Sequence, residues 1–233
     1  MPEVIFTGPE GRLEGRYHHN EDKNAPAALI LHPHPKHGGT MNNKVVYNLY
    51  QSFAKAGFST LRFNFRGVGR SQGTFDNGIG ELSDAATALD WLQGHNPDAA
   101  TFWISGFSFG SWLSMQLLMR RPELEGFVLV SPPANMYDFS FLAPCPRSGM
   151  IIQGDIDSIV GEEDVSKFVD KLNNQRGVGI NYKVIRGADH FFRDKLGELG
   201  ENVTDYIGEN IEEIRRRGQI KPDRRRRQLP KTS

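Results

Sequence analysis

The segment Gly106-Phe107-Ser108-Phe109-Gly110, with its two flanks, narrows most what this chain can fold into. Ahead of it runs Thr101-Phe102-Trp103-Ile104-Ser105, an apolar stretch of strand length, and behind it a segment with helical spacing. A strand that turns at once into a helix needs small residues on both sides of the turn, because a Cβ there would meet neighbouring backbone. The residue at the tip is held in a sparsely populated conformation with its side chain exposed. Five residues of this pattern alone carry little weight. Strand, turn and helix together mark Ser108 as a candidate nucleophile.

The rest of the chain alternates in the same way. Val4 to Thr7 and Arg12 to Tyr17 flank Gly8-Pro9-Glu10-Gly11 and predict an opening antiparallel hairpin. Ala27 to Leu31 is a continuous apolar run, suited to a strand covered on both faces. Asn43 to Ala56 has helical spacing that stops at Gly57, and Phe58 to Phe63 reads as a strand. Glu81 to Leu92 predicts a helix, and the helix after Ser108 ends before Pro122. Gly126 to Val130, the run from Met150 and Asn181 to Ile185 read as strands, and Glu162 to Leu172 as a helix. Asp194 to Arg217 carries one long helix or two shorter ones. Strands separated by helices of this length imply crossover connections and a mainly parallel sheet of about eight strands, with helices on both faces.

Partners for the serine follow in order. Met150 to Val160 ends in an acidic turn holding Asp155 and Asp157, and the strand from Asn181 runs into Arg186-Gly187-Ala188-Asp189-His190-Phe191. A serine hydroxyl is a poor nucleophile until an imidazole accepts its proton. The imidazole in turn needs a carboxylate to fix its tautomer and stabilise its cation. The chain offers Ser, then Asp, then His, each at the C-terminal end of a predicted strand.

This order, with the motif around Ser108, resembles the α/β-hydrolase superfamily over most of the chain. Three further segments are similar: Leu31-His32-Pro33-His34-Pro35 to the oxyanion-loop motif His-Gly-x-Pro, Asn64-Phe65-Arg66-Gly67-Val68-Gly69-Arg70-Ser71 to D-x-R-G-x-G-x-S, and Gly187-Ala188-Asp189-His190-Phe191 to G-x-x-H-x-F. Pro33 stands where the family has Gly, and Asn64 where it has Asp. The resemblance implies an α/β-hydrolase fold of the small lidless branch, with esterases, dienelactone-hydrolase-like and aminopeptidase-like enzymes as its nearest types. It implies Ser108 as nucleophile, His190 as base and Asp157 as acid by the G-x-x-D spacing from Gly154, with Asp155 the alternative. The backbone N–H groups of Phe109 and His34 would hold the oxyanion, and no cofactor is implied. The expected activity is cleavage of a carboxylic ester or related acyl bond. A peptidase or acyltransferase on the same machinery, or a non-catalytic binding protein, are the alternatives.

Other residues have duller uses. Arg66 and Arg70 either bind an anionic substrate or tie down a loop through backbone carbonyls. The His34 side chain has two readings, substrate contact and solvent exposure. His32-Pro33-His34-Pro35-Lys36-His37 has the histidine spacing of a dinuclear metal site, H-x-H-x-D-H, but Lys36 occupies the acidic position. A cation there cannot ligate and repels a metal ion, so no metal is expected. Ser131 to Ser148, with four prolines, is read as a loop with a helical turn, too short for a lid domain. Its Tyr137, Phe139, Phe141 and Leu142 are candidates to line a short acyl pocket.

Composition sets the bounds. Residues 1–218 are expected to form one domain, and residues 219–233, with Arg224 to Arg227, a basic, solvated tail. Lys plus Arg and Asp plus Glu balance at 28 each, which argues against a whole-protein attraction to nucleic acid or to an anionic membrane. The lone Cys145 excludes an internal disulfide. No long apolar run opens the chain, so a cytoplasmic enzyme acting on a small acyl substrate is the expectation. A homo-oligomer is neither excluded nor indicated.

Overall fold

A computed structural model describes residues 2–219, with side chains described through residue 211. In chain order the elements are β1 (Glu3–Gly8), β2 (Gly11–His18), β3 (Ala27–Leu31), α1 (Lys44–Lys55), β4 (Ser59–Phe63), α2 (Ile79–His95), β5 (Phe102–Phe107) and α3 (Phe109–Leu118). They continue with β6 (Leu124–Val130), β7 (Gly149–Gly154), α4 (Glu162–Asn173), β8 (Ile180–Ile185) and α5 (Leu196–Gln219). The strands form an eight-stranded sheet in the order β1-β2-β4-β3-β5-β6-β7-β8. β2 pairs antiparallel with β1 and with β4, and every other pairing is parallel.

Strand alternation sorts the core into two layers. Leu29 and Leu31 point to the face covered by α2, α3 and α4, where they join Leu89, Leu113 and Phe168. Ala28 and Ile30 point to the opposite face, against Phe53 of α1 and Val203 of α5. All of β3 is therefore buried, as its uninterrupted apolar sequence requires.

The structure departs from the sequence expectations at a few places. α2 starts before Glu81, at Ile79, because the Glu81 carboxylate turns back to accept from the N–H of Gly78 (2.7 Å) and Asp76 (2.9 Å). Beyond residue 194 there is one helix rather than two, and it runs through Gln219. The expected basic tail from residue 220 on lies outside the described residues.

Residues 131–148 form a loop with a single helical turn, closed by the N–H groups of Met136 and Tyr137 donating to Pro133 O (3.1 and 3.0 Å). Their prolines remove backbone donors, and side chains anchor the segment instead. Gln175 donates to Leu142 O (2.6 Å) and accepts from Cys145 N–H (2.6 Å). Phe139 packs on Phe168 of α4 with ring centroids 4.6 Å apart, and Leu142 is buried. The segment is fastened down on α4 rather than raised as a lid.

Candidate active site

Ser108 stands between β5 and α3 at φ +53°, ψ −119°, the strained turn its neighbours predict. A Cβ on Gly106 would lie 2.6 Å from Ser111 N, and one on Gly110 2.7 Å from His32 O. Both obstacles are backbone, so neither position can take a side chain without moving an element. The turn leaves the hydroxyl at the C-terminal edge of the sheet, on a residue only 9% exposed.

Asp157 follows β7 and His190 follows β8, and the sheet brings both to Ser108. His190 Nε2 lies 3.2 Å from Ser108 Oγ, and His190 Nδ1 lies 2.7 Å from Asp157 Oδ2. The other carboxylate oxygen of Asp157 accepts from the N–H of Ile159 (2.9 Å) and Val160 (2.8 Å). Burial pushes the Asp157 carboxyl up, but the hydrogen bonds from His190 and those two amides outweigh it and hold it below the usual range. An ionised Asp157 accepts the Nδ1 hydrogen of His190, which leaves Nε2 free to accept from Ser108. Asp155 does not take part. It is exposed, and its carboxylate accepts from Gly187 N–H at 2.6 Å, closing the turn after β8.

Phe109 is the first residue of α3, so its N–H has no acceptor inside the helix. Neither it nor the N–H of His34 meets an acceptor among the described residues. The positive end of α3 adds to the field at this spot. The Pro33–His34 peptide is held from the other side. His32, fully buried, donates from Nδ1 to Pro33 O (2.7 Å) and accepts at Nε2 from Phe65 N–H (3.0 Å). In a trans peptide C=O and N–H point opposite ways, so fixing the Pro33 oxygen also aims the His34 N–H. Burial lowers the His32 pKa to about 3, so the ring is neutral as these bonds demand.

That geometry takes His32 out of the histidine motif. Both nitrogens of His32 are engaged in the fold, and among the described residues no group of His, Cys, Asp and Glu is arranged to hold a metal ion.

The arginines of the turn after β4 are structural, through carboxylates rather than backbone carbonyls. Buried Arg66 makes two hydrogen bonds to Asp84 of α2 (3.0 and 2.8 Å), and Arg70 pairs with Glu14 and Glu3. Asn64 explains its own departure from Asp: its amide donates to Glu14 Oε1 (2.7 Å) while its oxygen accepts from Met41 N–H (2.7 Å). A carboxylate could not do both and would repel Glu14.

Two site features are not evident in the sequence reading. Gln153, fully buried at the end of β7, donates to Asp157 Oδ2 (3.1 Å) and Val160 O (2.8 Å). A polar residue closing the apolar run Met150-Ile151-Ile152 is the signal that could have found it. The second is an aromatic wall beside the oxyanion loop. Phe109 touches the rings of His34 (4.9 Å), Trp112 (5.7 Å) and Tyr137 (5.8 Å). Of the aromatic residues expected to line an acyl pocket, Tyr137 alone reaches this wall. Phe139 and Leu142, with Tyr137 itself and Phe168, line a cavity of about 600 Å³ that Ser108, Asp157 and His190 do not border.

Comparison with known proteins agrees with this architecture. Residues 17–180 match the model of the X-Pro dipeptidyl-peptidase (S15) family. A solved protein of unknown function from Agrobacterium tumefaciens is 57% identical, with a TM-score of 0.88 over 91% of this chain and 97% of its own. XC6422 from Xanthomonas campestris, an α/β serine hydrolase without lid, is 31% identical, with a TM-score of 0.81 over 89% of this chain and 94% of its own. Lysophosphatidylserine lipase ABHD12 of Rattus norvegicus is 26% identical over 177 residues, which span 66% of this chain but only 43% of that protein. No helix among the described residues is long and apolar enough to cross a membrane.

Proposed function

The chain belongs to the α/β-hydrolase superfamily, in the X-Pro dipeptidyl-peptidase (S15) family of serine hydrolases, and from that premise we propose that it cleaves carboxylic esters through an acyl-enzyme on Ser108. The observation that carries this reading is the hydrogen-bonded chain Asp157–His190–Ser108, at 2.7 and 3.2 Å, placed at the start of α3. Ser108 Oγ attacks the ester carbonyl while His190 Nε2 takes its proton. Asp157 stabilises the imidazolium. The new oxyanion lies between the N–H groups of Phe109 and His34, each worth about 3 kcal/mol to a developing charge. Collapse breaks the C–O bond, and His190 returns its proton to the departing alcohol. Water, deprotonated by His190, then attacks the acyl-enzyme and frees Ser108.

The family match favours a second reading, a peptidase on the same triad. An enzyme that removes N-terminal dipeptides must recognise a substrate ammonium, and the Lys36 cation in the His34–His37 cluster beside the oxyanion loop disfavours one at that spot.

A fluorophosphonate tests the reading. It should modify the folded protein stoichiometrically on Ser108, and Ser108→Ala should keep the fold and lose turnover. A folded protein without an adduct on the Ser108 peptide overturns it. Higher kcat/KM on an X-Pro anilide than on simple esters would move the assignment to the peptidase.

A further inference from the structure

We propose that His34, Lys36 and His37 form an anion subsite beside the oxyanion loop, and that it takes a carboxylate carried by the substrate close to its reacting carbonyl. The proposal rests on the hydrolase reading above and names the substrate class.

The cluster is what remains of the histidine-rich motif once His32 has been claimed by the fold. The rings of His34 and His37 lie 4.6 Å apart. Lys36 Nζ stands 4.9 Å from the centre of the Phe75 ring, which itself lies 4.8 Å from His34. Lys36 N–H donates to His34 Nδ1 (3.2 Å), so the neutral ring carries its hydrogen on Nε2. That Nε2–H has no acceptor, and Lys36 and His37 no carboxylate partner, among the described residues. Asp76, exposed and next in sequence to Phe75, makes no ion pair with any of them among the described residues. Burial, then the proximity of His37 and Lys36, keep the His34 pKa below its ordinary value. The Lys36 cation makes the local field positive, and neither it nor the His34 donor meets a counter-charge among the described residues.

Position decides what the anion is attached to. His34 also supplies an oxyanion N–H, and its ring lies 4.9 Å from Phe109, the residue that supplies the other. An anion on the His34 and Lys36 side chains therefore sits within a few bonds of the carbonyl held by those two amides. A substrate ammonium would be repelled there, and the lysine excludes a metal ion.

The test compares acids with neutral isosteres. Monoethyl succinate against ethyl levulinate places the carboxylate on the acyl side, and acetoxyacetic acid against acetoxyacetone places it on the alcohol side. In one pair the acid-to-ketone ratio of kcat/KM should exceed that of the Lys36→Met/His37→Gln variant by about tenfold or more, the scale of a charge-assisted hydrogen bond. Comparing ratios between proteins cancels the intrinsic reactivity of the esters. Lys183→Met, which removes an exposed cation on β8, should leave the ratio alone. Ratios unchanged by the double variant in both pairs overturn the proposal. A binding arm separates this failure from failure of the hydrolase reading. In Ser108→Ala, monoethyl succinate or acetoxyacetic acid should shift the His34 and His37 ring resonances saturably, and their ketone isosteres should not. Absence of saturable shifts overturns the subsite, whatever the fluorophosphonate result.

Discussion

Asp157→Asn should lower kcat by about 10³–10⁴-fold while leaving the fold intact, and the reason lies in which oxygen faces which donor. Oδ1 of Asp157 accepts from two backbone amides, Ile159 and Val160, at 2.9 and 2.8 Å. An asparagine must keep its oxygen there, since its NH₂ group would meet two N–H donors. The NH₂ then occupies the Oδ2 position, 2.7 Å from His190 Nδ1. His190 can accept that hydrogen bond only with its own hydrogen moved to Nε2, and a protonated Nε2 cannot take the proton of Ser108. The expected loss equals about 4 to 5.5 kcal/mol of transition-state stabilisation. Asp155→Asn should stay within about tenfold of the parent, because Asp155 only closes the turn at Gly187. Steady-state ester hydrolysis checks both variants, with thermal melts to show that each is folded. Activity of Asp157→Asn within tenfold of the parent, or equal losses in the two variants, would refute the tautomer reasoning.

Three further outcomes are expected. The buried neutral His32 binds a proton in the unfolded chain at about 6.5 but in the fold only near 3. Acid therefore favours unfolding between those values, with a slope of up to about 1.4 kcal/mol per pH unit, and stability is restored above them. Urea unfolding at several pH values should show this slope flattened in His32→Asn, and an unchanged slope would contradict it. Gly110→Ala should cost about 1–3 kcal/mol, because its Cβ meets the His32 carbonyl, whereas Gly94→Ala, with open space inside α2, should stabilise by about 0.5–1 kcal/mol. Denaturant titrations of the two variants read the difference directly. With residues 131–148 fastened on α4, kcat/KM should peak for short acyl esters, since each further methylene finds no cover and forgoes about 0.8 kcal/mol of burial. A steady rise out to long chains would contradict that.

The elbow around Ser108 was legible from residues 101–110 because its cause is local. Backbone at 2.6 to 2.7 Å forbids a Cβ at Gly106 and Gly110 whatever the rest of the chain does. The sheet was legible too, since periodic apolar runs such as Ala27–Leu31 have few ways to be buried on both faces. Tertiary structure decided what depends on direction. Asp155 and Asp157 lie two residues apart in one turn, and only the packing of β7 against β8 aims Asp157 at His190 and Asp155 at Gly187. His32 was an anonymous histidine of the motif until Phe65 N–H and Pro33 O closed on its two nitrogens. Arg66 found its partner in Asp84, 18 residues on in α2, a pairing that exists only once α2 has packed against the sheet. Spacing along a chain fixes which side chains share an element, but a hydrogen bond also needs an angle, and angles between elements exist only after the sheet has formed.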